Sequence, residues 1–351
     1  MLLYIHIPFC DSKCHYCSFN SYVDRFHLKE VYMKALQKQL LFELKLFHAQ
    51  PDSIESVFIG GGTPSTVTPK LYEDIFNTLH PYLQEDTEIT FEANPNSASQ
   101  EWLKGIYALG ANRISFGVQS FNEQKLKLLN RAHNPSQAIK AIENAKKTGF
   151  ENISLDLIYG VTGDTKELLK HDLHVSKQLP INHLSAYALT IEENTPFEKK
   201  PQMAHEELNH TRWLFRMIHE KLGLQQYEIS NFGRYRSKHN LGYWYYKDYM
   251  GVGSGAVGKL YNKRFYPTTN LEEYIADPLK RKTEILSDAD IKFEKIFLGL
   301  RSKVGIDAKI LTTQEFQKAI ILVEEKKLSY KNGSFFNNDF LLADEIALFL
   351  D

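Results

Sequence analysis

The chain has almost no material for disulfides. Its 351 residues include three cysteines, Cys10, Cys14 and Cys17, all within eight positions. An odd, clustered set in a reducing compartment is a poor cross-linking design and a good metal-ligand design. Net charge is also missing. Lys+Arg of 42 against Asp+Glu of 43 gives −1, so no overall field draws the chain to nucleic acid or anionic lipid. No apolar run reaches the roughly 18 residues of a membrane helix, which argues against an integral membrane protein. The start, Met1-Leu2-Leu3-Tyr4-Ile5-His6, lacks the basic segment and long apolar stretch of a signal peptide, so a cytoplasmic location is expected. Low-complexity segments and residue-level repeats are absent too. What remains is globular: 43% hydrophobic, 13% aromatic and 24% charged, with length for a large α/β unit and an appendage, or for two to three modest domains.

Over the first two hundred residues, strand-like and helix-like runs alternate. Short β-branched or aromatic runs at Leu2–Ile7, Ser56–Ile59, Thr87–Ala93, Arg113–Val118, Asn152–Tyr159 and His183–Leu189 are bounded by Gly, Pro or Asn. Between them, Leu36/Leu40/Leu44/Phe47, Leu71/Ile75/Leu79 and Ala138/Ile142/Ala145 repeat at helical spacing, as ordinary core faces. Six strand–helix units in series imply parallel strands with right-handed crossovers, in a barrel or a doubly wound sheet. Either way the working residues belong at the carboxyl ends of the strands.

The rhythm stops near residue 200. The reading divides the chain into a core at 1–200, an aromatic and Gly-rich extension at 201–284, and a small unit at 285–351. Glu206–Leu222 reads as a helix. In the last unit, helical patterns at Ile296–Leu300 and Phe316–Val323 precede Leu328–Tyr330 and Ser334–Phe336, which flank the hairpin signal Asn332-Gly333. With a final helix over Leu341–Leu350 this implies a winged-helix-like α+β domain. Gly253-x-Gly255-x-x-Gly258 is not read as a dinucleotide site, because no strand–helix context or spaced acid accompanies it. A tight backbone segment beside a ligand or another strand fits it better.

The cysteines form C-x3-C-x2-C just after the first strand. Three thiolates can ligate three irons of a [4Fe–4S] cluster and leave the fourth open to chelate an amino acid, the arrangement that S-adenosylmethionine (SAM) cleavage requires. Structural zinc completed by His15 or His6, or three buried thiols, are the alternatives.

With these cysteines, Tyr4-Ile-His-Ile-Pro-Phe-Cys10 resembles the radical SAM family of oxygen-independent coproporphyrinogen oxidases, and more narrowly its haem-chaperone branch, HemW. The resemblance continues through Phe58-Ile-Gly-Gly-Gly-Thr-Pro-Ser65, Phe91-Glu-Ala-Asn-Pro95, Ile114-Ser-Phe-Gly-Val-Gln-Ser-Phe121, Leu129-Asn-Arg-Ala-His133 and Asp156-Leu-Ile-Tyr-Gly160. It implies a partial (β/α)6 TIM-like barrel with Cys10, Cys14 and Cys17 on the cluster. It further implies SAM contacts from Tyr4, Tyr16, Gly61, Gly62, Thr63, Glu92, Gln119, Arg131 and Asp156. Arg131 suits the methionine carboxylate, and Gln119 and Asp156 suit ribose hydroxyls.

His239-Asn240-Leu-Gly-Tyr243-Trp244 matches the branch's haem-associated motif. By itself, His239 reads as a hydrogen-bonded structural histidine. The resemblance makes haem the cargo, with haem-acceptor proteins and an electron donor for the cluster as partners. A homodimer, and membrane association through a partner, are compatible with it. The true oxidase carries a further cysteine two positions after the third, where this chain has Phe19, and an arm ahead of its first strand, which here starts at residue 2. Both features oppose porphyrinogen decarboxylation. Relatives often place a histidine where this chain has Val257. The alternatives are coproporphyrinogen III oxidase itself, or a radical SAM enzyme with another substrate.

Overall fold

In the computed structural model, which describes residues 1–205 and 208–350, the six runs become β1 (Leu2–Ile7), β2 (Ile54–Gly61), β3 (Leu83–Ala93), β4 (Arg113–Gln119), β5 (Asn152–Tyr159) and β6 (His183–Ala188). They pair in chain order and all run parallel. Helices Lys29–Leu46, Glu73–Leu79, Gln100–Ala108, Pro135–Thr148 and Lys166–Gln178 cross between them. The anticipated stripes Leu36/Leu40/Leu44, Ile75/Leu79 and Ala138/Ile142/Ala145 are buried in the core. The Gln100–Ala108 helix carries no stripe in the sequence reading. Ser99 starts it by accepting from the Trp102 amide.

Strand alternation here separates two chemistries. One face of β2 to β6 presents Val57, Ile89, Phe91, Ile114, Phe116, Ile153, Leu155 and Leu184 to the apolar core. The other presents Ser56, Glu88, Thr90, Arg113, Ser115, Ser154, His183 and Ser185, all buried. Arg113 on β4 lies 3.4 Å from His183 on β6, two strands away. Only a sheet curled around this polar face brings them together, so the barrel interior is hydrophilic.

The extension continues the same sheet. β7 (Gln225–Gln226) and β8 (Asn231–Gly233) add antiparallel beyond β6. On the opposite side β9 (Tyr249–Val252) lies parallel to β1, followed by antiparallel β10 (Gly258–Leu260), β11 (Lys263–Pro267) and β12 (Arg281–Ile285). The parallel run is therefore seven strands, one more than the sequence rhythm shows. Glycine hides the seventh: a Cβ on Gly251 would lie 2.1 Å from the Val257 carbonyl, so only glycine lets the chain fold back there.

The expected helix over Glu206–Leu222 is found at Leu208–Leu222, and positions 206 and 207 lie outside the described residues. Helices Asp288–Leu300, Thr313–Glu324 and Ala343–Leu350 surround β13 (Ile306–Asp307), β14 (Leu328–Lys331) and β15 (Ser334–Asn337). The hairpin turns on Asn332 and Gly333, both at positive φ. A separate core of Ile296, Leu300, Leu322, Phe335 and Ile346 holds this unit. Among the described residues no helix is long and apolar enough to cross a membrane.

Candidate active site at the strand ends

The segment after β1 is tied to the barrel from several sides. The Cys10 amide donates to Tyr22 O, and the Tyr22 amide to Pro8 O. Lys13 Nζ donates to Phe19 O and Ser21 Oγ, closing the loop on itself. Asn130 Nδ2 holds Lys13 O, and the His15 amide holds Leu129 O. Cys10, Cys14 and Cys17 consequently line one cavity of about 380 Å3. Burial pushes the Cys10 and Cys17 thiols up.

Neither histidine proposed for zinc joins them. His6 is occupied at both nitrogens, by Tyr4 Oη at 2.9 Å and Asn20 O at 2.8 Å, and His15 Nδ1 faces Leu128 O at 3.0 Å. Among the described residues no three His, Cys, Asp or Glu side chains converge on a single ion. Three thiols on one cavity, with neither histidine in its wall, fit an iron–sulfur core that leaves one iron open better than a structural zinc, which takes a fourth protein ligand.

The other wall comes from the ends of β2 to β6. Gly61 ends β2, Gly62 and Thr63 follow it, and Thr63 Oγ1 donates to Cys10 Sγ at 3.3 Å. Gly61 has φ +108°, and a Cβ there would lie 2.3 Å from His6 Nδ1. Gly61→Ala is expected to cost about 3 kcal/mol or more in chemical denaturation, since backbone conformation and contact both oppose it. Stability equal to the parent protein would show that the loop adapts.

Glu92 on β3 accepts from the Gly61 amide at 3.1 Å. Burial, reinforced by Asp156, raises its pKa to about 7. Asp156 on β5 is likewise pushed up by burial, against Ser185, Arg113 and Ser115, and Ser115 Oγ reaches it at 3.3 Å. Gln119 ends β4 at φ +67°, where the register with β5 slips after Phe116. That irregularity turns it into the cavity, a strained position of the kind found at working sites.

Arg131 is the hub. Nη1 donates to Cys14 Sγ at 3.2 Å and Tyr16 Oη at 3.5 Å, while Nη2 donates to Asn94 Oδ1 and Gly117 O, both at 2.6 Å. Nε has no partner. Burial opposes its charge, but Tyr16 and Cys14 more than restore it.

The cavity thus gathers Tyr16, Gly61, Gly62, Thr63, Glu92, Gln119, Arg131 and Asp156 around the cysteines. Tyr4 stands apart. Its hydroxyl faces His6, and it lines a different crevice of about 340 Å3 with Phe58, His239, Asn240, Tyr243, Tyr249 and Val257. Sequence reasoning passed over Asn94, which links Thr63 to Arg131, and Tyr187 on the far wall. Asn94 had a signal, its place at the end of the Phe91–Pro95 motif.

The His239 motif lies on the helix Lys238–Trp244, away from the cysteines. His239 is 1% exposed. Ser56 Oγ engages Nδ1 at 2.9 Å, Tyr243 Oη engages Nε2 at 3.1 Å, and Phe58 stacks on the ring. Trp244 is half-buried at the helix end and is not part of the crevice wall.

Residues 4–175 match the Radical SAM superfamily. The heme chaperone HemW of Bacillus subtilis is 34% identical over 323 residues, covering 87% of this chain and 84% of its own. That of Escherichia coli is 38% identical over 267 residues, covering 74% and 70%. The solved coproporphyrinogen III oxidase (HemN) from Escherichia coli, a radical SAM enzyme, superposes with a TM-score of 0.81 over 100% of this chain and 90% of that one. At 22% identity this likeness speaks to fold. The chain belongs to the radical SAM superfamily and, within it, to the heme chaperone HemW family.

Proposed function

We propose that this protein binds haem and transfers it to acceptor proteins, on a core that holds a [4Fe–4S] cluster and SAM. The observation that carries the reading is the set of relatives named heme chaperone, 34% and 38% identical over most of the chain. The cavity supports the cofactor half. Cys10, Cys14 and Cys17 would hold the cluster, which supplies one electron to a bound sulfonium. Glu92 is placed to receive an ammonium group, Arg131 a carboxylate, and Gln119 and Asp156 hydroxyl groups. The missing Cβ atoms at Gly61 and Gly62 let this backbone pack against His6 and the end of β1, which sets it in the cavity wall. Ile158 and Leu189 add apolar wall to the cavity.

The haem half falls to the crevice beside His239. Burial holds its imidazole neutral, with a pKa of about 3, and the neutral ring is the form that ligates iron. Ligation requires His239 to exchange Ser56 or Tyr243 for the metal. Val257 lines the same crevice, which therefore offers one imidazole. Cytoplasmic location, an electron donor and the protein acceptors belong to this reading, as does membrane association through a partner.

Haem titration tests it. Relative to wild type, His239→Ala is expected to lose at least about tenfold in affinity and to change the Soret spectrum. Unchanged affinity, stoichiometry and spectrum would remove His239 as the ligand. Repeated turnover of coproporphyrinogen III to protoporphyrinogen by the reconstituted protein with SAM would favour the oxidase and overturn the chaperone reading.

A further inference from the structure

One buried charge inside the barrel has no ion-pair partner. Arg113 is 2% exposed. Nη1 lies 3.4 Å from Thr90 Oγ1, Nη2 lies 3.4 Å from His183 Nδ1, and Nε is unpartnered. Both contacts are long. Among the described residues no carboxylate oxygen comes within ion-pair distance. A guanidinium held this way is costly unless its charge does something nearby.

The neighbours on the floor side need nothing from it. His183 Nδ1 has Ser154 Oγ at 2.7 Å, and Nε2 has Tyr227 Oη at 2.7 Å. Burial keeps that ring neutral. Glu88 is saturated by Tyr235 Oη, Ser237 Oγ, and the amides of Lys238 and His239, at 2.8 to 3.0 Å. Above Arg113 on the same inner face, toward the cavity, are Glu92, two residues beyond Thr90, which pairs with Arg113, and Asp156, which accepts from Ser115 Oγ two residues beyond Arg113. Each has few donors of its own, and each feels Arg113 as a charge that favours its ionised form.

We propose that Arg113 is a positioning residue for the cavity: its buried charge keeps Glu92 and Asp156 together as carboxylates, ready for the ammonium and hydroxyl groups of an adenosylated amino acid. This rests on reading the cavity as the SAM site. The groups facing the pair are Tyr4 on β1, the Gly61 amide on β2, Arg113 and Ser115 on β4, Ser185 and Tyr187 on β6, and Arg131. Facing Arg113 from below are His183, Tyr227 and His239. Only the two arginines are cationic at neutral pH, and Arg131 is already spread over Cys14, Tyr16, Asn94 and Gly117.

The sign follows from Glu92. A carboxyl raised to about 7 ionises as pH climbs through neutrality, so ammonium binding there strengthens with pH. Removing Arg113 moves that rise upward. The experiment is calorimetric titration of the cluster-loaded protein with S-adenosylhomocysteine between about pH 6.5 and 9, with iron content and thermal unfolding checked for each variant. If Glu92 shifts by about one unit, Arg113→Met binds about fivefold more weakly than wild type at about pH 7 and within about twofold at about pH 9. Arg113→Lys restores the wild-type profile.

A Met variant with the wild-type profile, or one weaker by the same factor at every pH, overturns the proposal. Should the Met variant not fold, Glu92→Gln decides. It flattens the wild-type rise if Glu92 is the titrating group, and an unchanged rise overturns the proposal. Wild type that carries iron but takes up no S-adenosylhomocysteine overturns the reading of the cavity instead.

Discussion

Cys14→Ala, purified without oxygen, emerges colourless and without its iron. Wild type prepared in the same way is expected to be brown and to carry about four irons per chain. The expectation follows from the donor count. Cys10, Cys14 and Cys17 are the only cysteines in the sequence, so no fourth thiol can substitute. Nor does a histidine stand ready, because His6 is occupied at both ring nitrogens and neither His6 nor His15 lines the cavity. The polypeptide itself is expected to keep its far-ultraviolet dichroism. Apart from the Arg131 contact to Cys14 Sγ, the ties that shape the loop run through the backbone of Cys10, His15 and Tyr22 and through the side chains of Lys13 and Asn130. Full retention of iron in the variant, or stoichiometric zinc in anaerobic wild type, would defeat the assignment.

Arg131→Met is the second large effect. Two of its nitrogens hold Cys14 Sγ, Tyr16 Oη, Asn94 Oδ1 and Gly117 O. Methionine keeps the length and the apolar stem but leaves those acceptors without a donor. It also deprives the cavity of the planar cation that suits a carboxylate. One charged hydrogen-bonded contact of this kind is worth about 3 kcal/mol, so S-adenosylhomocysteine affinity is expected to fall about a hundredfold. Iron content is expected to stay at the wild-type level, because Arg131 donates to Cys14 and ligates nothing. Equal affinity would clear Arg131 of the role. Loss of iron would make it part of the cluster's support instead.

Much of the frame was legible in the residues. The six parallel strands fall within a few positions of their apolar runs. Strand β5 matches end to end, because Asn152 and Gly160 bracket an uninterrupted stretch. The hairpin at Asn332-Gly333 was equally plain, since those two residues adopt the positive φ that few others accept. Strand β9 was not legible, because its Gly251 and the neighbouring Gly253 imitate a loop until the opposing backbone is seen.

The site divides in the same way. Cysteine spacing and strand-end motifs point to the cavity, whereas Tyr4 bonds to His6, two positions on along the same face of β1, and lines the crevice beside His239 instead. The anticipated role of His239 met a burial that sequence alone cannot express: its two bonds come from Ser56 and Tyr243, one of them 183 positions away. Arg113 looks like an ordinary start to a strand in the sequence. Its lack of an ion-pair partner is visible only once β3, β5 and β6 close around it.

The manner in which the cysteine segment is anchored bears on how such a protein survives air. Iron–sulfur centres exposed to oxygen decay and shed metal. A loop that owed its shape to the metal would collapse with each loss and have to refold. Here the shape is inherited from the surrounding barrel, so a damaged copy stays a mould. On the reading that Cys10, Cys14 and Cys17 hold a cluster, a chain that has lost it would keep the loop in place to receive another.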